Sequence, residues 1–271
     1  NPKPAFRFSE FIARVMPKYV ARIAQRKRSD FGANVTLLRP LILTMIFIVT
    51  LGLCLPGRGI AQNILPAPYD SLQYDLTERI TFDTLPSRPE PGLNFNAPMR
   101  LGYTWLAQHF KGQIIDNIDG FDHIEGPPKA PLALHPGPPG QNLSVAHHRG
   151  FGSNALFPLG PAGFPALRAR GEGALAILFD QAQRAIALKV HSDYPRPLGG
   201  KSKPGHVTLL IYTRQGVLIG RYKAPLKSGI TKIGLRRTNG LPDIAGVVVL
   251  NDDPGGIAID DILYQTAPAA F

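Results

Sequence analysis

Carboxylates, histidines and aromatic rings are the side chains here whose spacing could do chemistry. Asp260 and Asp261 stand together near the C-terminus in GIAIDDILY, and Asp83 ends the segment RITFD. Should Asp83 lie on the strand beside that pair, the three could supply oxygens to a structural calcium, an ion that takes six to eight such ligands. The competing assignment has one carboxylate of the pair facing solvent and the other capping a turn. For Asp252-Asp253, before Pro254-Gly255-Gly256, the same solvent-and-cap assignment applies. The acidic stretch Asn117–Glu125 lacks the glycine and terminal glutamate of a calcium-binding EF-hand loop. His147-His148 is the one adjacent histidine pair. Neighbours on a strand point to opposite faces, so both ligating one metal is disfavoured. Tyr103, Trp105 and Phe110 could stack on the face of a sugar, although a lone tryptophan in a β domain also serves as core or anchor. No HExxH, GxSxG or phosphate-loop sequence occurs, and no constellation of Ser, His, Asp and Glu is singled out by spacing. The expectation is a protein that is not an enzyme.

The formal net charge of +11 has a local origin. Residues 1–39 hold nine lysines and arginines against Glu10 and Asp30, and the remaining chain is near balance. Within 8–27, Phe8, Phe11, Ile12, Val15, Tyr19, Val20 and Ile23 recur at helical spacing, while Arg14, Lys18, Arg22 and Arg26 recur every four residues on another face. This predicts an amphipathic basic helix, divided at Pro17, lying on anionic lipid headgroups or packed on a partner. A nucleic-acid role is not expected, because an uncharged run, Leu41–Leu55, follows the basic stretch. Extended back to Val35 it approaches the ~20 residues a bilayer requires, with Arg39 placed to snorkel. The positive-inside bias then puts the N-terminus in the cytoplasm and the remainder outside it. A cleaved signal ending at Gly59-Ile60-Ala61 is the rival reading. A lipoprotein fits less well, since Leu53 precedes Cys54.

These groups need a scaffold, and glycine (28) with proline (27) excludes a helix bundle. A single cysteine excludes a disulfide framework or a multi-thiolate metal site. Residues 56–77 read as a linker. Beyond them, strands are expected at Arg79–Asp83, Met99–Trp105, Asn142–His147, Ala174–Phe179, Ala185–Val190, Val207–Thr213, Val217–Tyr222, Ile230–Arg236, Ile244–Leu250 and Gly256–Tyr264. Arg214-Gln215-Gly216 marks a hairpin turn. Helical periodicity is weak and confined to Trp105–Ile115. Gly126–Gln141 and Phe157–Pro165 are proline-glycine runs expected as long surface loops suited to contact. Arg196–Lys203 reads as a solvated basic turn. The pattern predicts an all-β antiparallel sandwich or jelly roll over 78–271.

The segments ITFDTLP (80–86), LLIYTRQGVLIG (209–220) and GIAIDDILY (256–264) resemble bacterial secreted lectin-like jelly-roll modules over much of residues 78–266. The resemblance implies that the first and last strands pair, and that an acidic pair near the end can hold calcium. The apolar run and the charge bias before it add the expectation of a periplasmic sandwich behind an inner-membrane anchor spanning 35–55, with 1–34 cytoplasmic. Two functions are expected from the whole. One is a non-catalytic accessory subunit of a larger membrane assembly, such as a bioenergetic complex, touching other membrane subunits and lipid headgroups. The other is a membrane-tethered module that binds glycans.

Overall fold

The computed structural model describes residues 63–192 and 203–266, all within the unit Ile60–Phe271. The basic helix with Arg14, Lys18, Arg22 and Arg26, the span at 35–55 and most of the Arg196–Lys203 turn lie outside the described residues. Among the described residues, no helix is long and apolar enough to cross a membrane.

The protein is an antiparallel β-sandwich. The strands of the first sheet are β1 (Ile64–Pro66), β2 (Glu78–Ile80), β3 (Leu93–Phe95), β10 (Leu143–His148), β11 (Ser153–Pro158), β13 (Ala185–Ser192), β16 (Gly229–Arg237) and β18 (Ala258–Tyr264). Their order is β1-β16-β13-β18-β11-β10-β3, with β2 also pairing β18. The second sheet runs β15-β14-β17-β12-β5-β4, from β4 (Met99–Leu101), β5 (Thr104–Ala107), β12 (Leu175–Gln183), β14 (His206–Tyr212), β15 (Leu218–Pro225) and β17 (Ile244–Asn251). Two small ribbons, β6 (His109–Phe110) with β9 (Leu134–His135) and β7 (Ile114–Ile118) with β8 (Phe121–Glu125), complete the set. The expected pairing of first and last segments is present, Ile80 opposite Ile262.

Alternation explains the core. Leu175, Ile177 and Phe179 of β12, and Val247 and Val249 of β17, point between the sheets, where they meet Val145, Leu156, Val190 and Ile259 of the other layer. Their neighbours Ala176, Ala245 and Val248 are also buried, on the outer face, beneath Phe110, Leu132, Ile124 and Leu134. Both faces of β12 and β17 are therefore covered. This is why β12 and β17 read as continuous apolar runs rather than alternating ones. The outer face of the first sheet is covered in two places. Tyr69, Leu72 and Leu76, on or just after helix α1 (Tyr69–Asp75), pack on Ala185, Ala187 and Leu263. Phe151 lies against Ala146, Ala155, Phe157 and Ala258.

Several expectations need correction. The described part of the segment read as a linker is built into the sandwich, as β1 on the edge of β16 and as α1. Short elements of this kind exist because tertiary pairing stabilises them, not through local propensity. The segment Arg79–Asp83 leaves the sheet after Ile80, and Met99–Trp105 is a hairpin of two strands. The weak helical pattern at Trp105–Ile115 is extended structure. Neither proline-glycine run is merely a surface loop. Leu132 of the first is buried against the second sheet, and Phe157 and Leu159 of the second are fully buried, Phe157 within β11. The hairpin turn at 214–216 stands as expected. Gly216 has φ +74, and a Cβ there would meet the Pro128 carbonyl oxygen at 2.8 Å, so both backbone and neighbour demand glycine.

Candidate functional site

The outer surfaces of the two sheets carry the chemistry. At the edge of the second sheet, β4 and β5 form a tight hairpin in which Arg100 lies opposite Trp105 and Leu101 opposite Thr104. Gly102 occupies the turn with φ +55, and a Cβ there would stand 2.5 Å from the Tyr264 hydroxyl. That hydroxyl accepts a hydrogen bond from the Tyr103 amide at 3.2 Å. The Tyr103 carbonyl accepts one from the Asp180 amide at 2.9 Å. The backbone of the turn is thus clamped to both sheets while the Tyr103 ring stays 53% exposed. Beside it, the Arg100 guanidinium lies over the Trp105 ring, 5.2 Å from its centroid, and pairs with Asp180 at 3.1 Å. Of the three aromatics expected to meet a sugar, Tyr103 offers an open ring. Trp105 is half-buried, with one face occupied by Arg100. Phe110, the third ring, is fully buried under the small ribbons. Arg100 and Asp180 were not legible from spacing, since they are eighty residues apart in sequence.

On the first sheet, Asp260 lies beside Asp261 and within reach of the Asp83 charge, by a route that alternation does not supply. Ala187 pairs with Leu263, yet Lys189 pairs with Asp260, so β18 carries one extra residue. Asp261 takes it up with φ +49. This bulge removes the normal alternation. Both carboxylates are buried, and both bond to neighbours on the surrounding strands. The Lys189 ammonium donates to Asp261 at 2.5 Å, and Arg79 approaches the same carboxylate at 3.6 Å. The Tyr69 hydroxyl donates to the Asp261 carbonyl at 3.2 Å. Burial, reinforced by the Asp261 charge, raises the Tyr69 phenol well above its ordinary value. Asp260 accepts from the Ser153 hydroxyl at 3.0 Å and from the Asp261 amide at 2.7 Å. Burial nevertheless pushes its carboxyl up to about 6, with the Asp261 and Asp83 charges adding to the effect. Asp83 accepts from the Asn154 amide at 2.9 Å and fixes the turn after β2. The trio is therefore engaged by cations, a hydroxyl and amides. Among the described residues, no group of three or more His, Cys, Asp or Glu side chains is placed to hold a metal ion.

The remaining candidates have structural partners. Asp252 pairs with Lys223 at 3.2 Å; burial raises its carboxyl, but the His206 amide and Lys223 outweigh this and hold it low. Asp253 accepts from the Gly205 and Gly255 amides at 2.8 and 3.2 Å and closes the turn. His147 is exposed and His148 buried, as strand alternation requires. The His148 ring meets the ring of His191 at 4.4 Å, and burial first, then His191, pulls its pKa down to about 4. Asn117–Glu125 is the β7–β8 hairpin, turned by Asp119 (φ +55) and Gly120 (φ +92). The Asp-Gly dipeptide was the available signal for that hairpin.

No known protein family matches the chain, and no curated protein matches it in sequence. Two solved structures are similar in part. One is the enzymatically active domain of the bacteriophage CBA120 tailspike protein 4, at 11% identity and a TM-score of 0.26, covering 45% of this chain and 17% of that one. The other is a non-crystalline cellulose specific carbohydrate-binding module, CBM28, at 16% identity and a TM-score of 0.27, covering 46% of this chain and 82% of that one. The chain thus spans about a sixth of the tailspike domain and most of the carbohydrate-binding module. Each likeness reaches under half of this chain, so the functional reading rests on the geometry of the hairpin and its neighbours.

Proposed function

We propose that the sandwich is a non-catalytic carbohydrate-binding module whose saccharide site is the β4–β5 hairpin. The observation that carries this reading is Tyr103, an open aromatic ring on a clamped turn beside the Arg100–Asp180 pair. A pyranose presents an apolar face of C–H groups that stacks on such a ring, and a rim of hydroxyls that an arginine and a carboxylate can bond. A rigid turn loses little conformational freedom on binding, which favours a weak but usable interaction. Trp105 acts here as the seat of Arg100 and does not itself touch sugar. The hydrophobic run at 35–55 would tether the module at the inner membrane, with the sandwich on the outer, periplasmic side. The basic residues Arg14, Lys18, Arg22 and Arg26 would then lie on the inner lipid surface.

Binding of the full chain, in detergent, to an array of neutral glycans tests the reading. Tyr103→Ala is expected to weaken the strongest signal about tenfold, equivalent to about 1.4 kcal/mol. Trp105→Phe should weaken it less, because a ring still supports Arg100. Unchanged binding in Tyr103→Ala would overturn the assignment.

A second reading, an accessory subunit of a membrane assembly, has one observation in its favour. On β7, Ile114 and Ile118 are 64% and 45% exposed and flank Asp116 on one face, a mixed apolar and acidic patch suited to a protein neighbour.

A further inference from the structure

Beyond the hairpin site, the first sheet carries a cleft of 460 Å³ lined by Leu65, Arg184, Ala185, Arg236, Arg237, Thr238 and Gly240. Register explains its construction. Leu65 of β1 and Ala185 of β13 flank Arg236 of β16 on either side, so one row of three residues forms the floor. Arg184, just before β13, accepts a backbone hydrogen bond from Arg237 at 2.9 Å, which brings the two arginine-bearing segments together. The cations of the cleft are unequally satisfied. Arg237 is buried and forms a two-point pair with Asp243 at 2.6 and 2.8 Å; it also donates to the Asn63 carbonyl at 2.8 Å. Arg184 and Arg236 are exposed and have no carboxylate partner among the described residues. No acidic residue lines the cleft.

Three guanidinium groups against one carboxylate leave a concentrated positive field in a concave site, which draws in anions. Guanidinium forks match planar and tetrahedral oxyanions alike. The volume exceeds that of a bare inorganic ion, and Leu65, 46% exposed, supplies an apolar wall. We infer that this cleft binds a small organic oxyanion, a phosphate ester or a sugar carboxylate, with its charged head between Arg184 and Arg236 and its uncharged body on Leu65. This site is built from β1, β13 and β16 and is independent of the saccharide reading of β4 and β5.

Thermal-shift titration of the full chain in detergent tests it, using glycerol 3-phosphate, glucuronate and inorganic phosphate, with glycerol and glucose as neutral controls. The expected result is saturable stabilisation by glycerol 3-phosphate or glucuronate. It should weaken at least tenfold in Arg184→Ala/Arg236→Ala and weaken as salt is raised. Both arginines are exposed, so the unliganded midpoint of the variant should match that of the parent. A response to glycerol 3-phosphate alone assigns the phosphate ester, and one to glucuronate alone the sugar acid. Equal shifts in parent and variant, or none with either organic anion, would overturn the site. A response to inorganic phosphate as large as that to glycerol 3-phosphate would overturn the role given to Leu65. Loss of glycan binding in Tyr103→Ala leaves this outcome untouched, so the two assignments fail separately.

Discussion

Single residues on the bulged strand decide how this molecule responds to acid. Asp260 is 3% exposed and its carboxyl is raised to about 6 from an ordinary 3.8. The folded state therefore holds its proton more tightly than the unfolded chain does. Its contribution favours folding below pH 3.8 and is lost as the pH rises through 6. His148 and His109, each lowered from 6.5 to about 4 by burial, have the opposite sign: their contribution is present above 6.5 and lost as the pH falls through 4. Asp260→Asn removes the first effect alone. Its thermal midpoint, measured against the parent from pH 3.5 to 8, should gain on the parent between about 4 and 6 and then hold a constant advantage. A difference that stays flat across that interval would mean Asp260 is not raised by its surroundings. The Tyr103 and Trp105 substitutions belong to this scale too, since one touches ligand and the other acts only through Arg100.

At the scale of elements, two local irregularities place the chemistry. The bulge in β18 brings Asp260 to Ser153 and Asp261 to Lys189, where plain alternation would have separated them. The Gly102 turn clamps Tyr103 beneath the Tyr264 hydroxyl. Gly102→Ala would force a positive φ on a residue with a Cβ and drive that Cβ into Tyr264. We expect a loss of about 1–3 kcal/mol, read from urea unfolding, together with weakened glycan binding. Retained stability would show that the hairpin relaxes freely. Much of this layer was readable in advance. The runs forming β12, β14 and β17 announce themselves through branched apolar residues bounded by turn formers. Helix α1 escaped because its apolar residues, Tyr69, Leu72 and Leu76, span only two turns, too few for periodicity to stand out. Strand β11 escaped because Phe157-Pro158 opens a proline-glycine run, although both residues close a strand paired to β10.

The described residues form a sandwich whose sheet faces are largely covered, so the sites fall at edges and in the gaps of its coverings. On the second sheet, the ribbons β6–β9 and β7–β8 close over the outer face of β12, β14 and β17, and the β4–β5 hairpin lies at one edge. If the chain is instead an accessory subunit, its exposed Ile114 and Ile118 must meet a partner. Native electrophoresis after mild-detergent extraction should then show a high-mass band that Ile114→Asp/Ile118→Asp reduces. A lone species of the chain's own 29.4 kDa mass would sink that reading. The acidic residues Asp83, Asp260 and Asp261 show how partners are added by the fold: Lys189 and Ser153 reach Asp261 and Asp260 from strands far off in sequence, and Arg79 approaches Asp261 from the paired β2.

The sequence by itself determined what depends on neighbours along the chain: the strands' apolar character, the Gly216 turn, the opposite exposures of His147 and His148, and the gathering of positive charge before residue 40. Only the tertiary structure decided which side chains meet. Arg100 with Asp180, Lys189 with Asp261, and Arg184 with Arg236 are each brought together from segments more than fifty residues apart by strand register. Register is fixed by how two apolar faces pack across the sandwich, and a one-residue bulge re-aims every side chain beyond it. Local composition carries no trace of either.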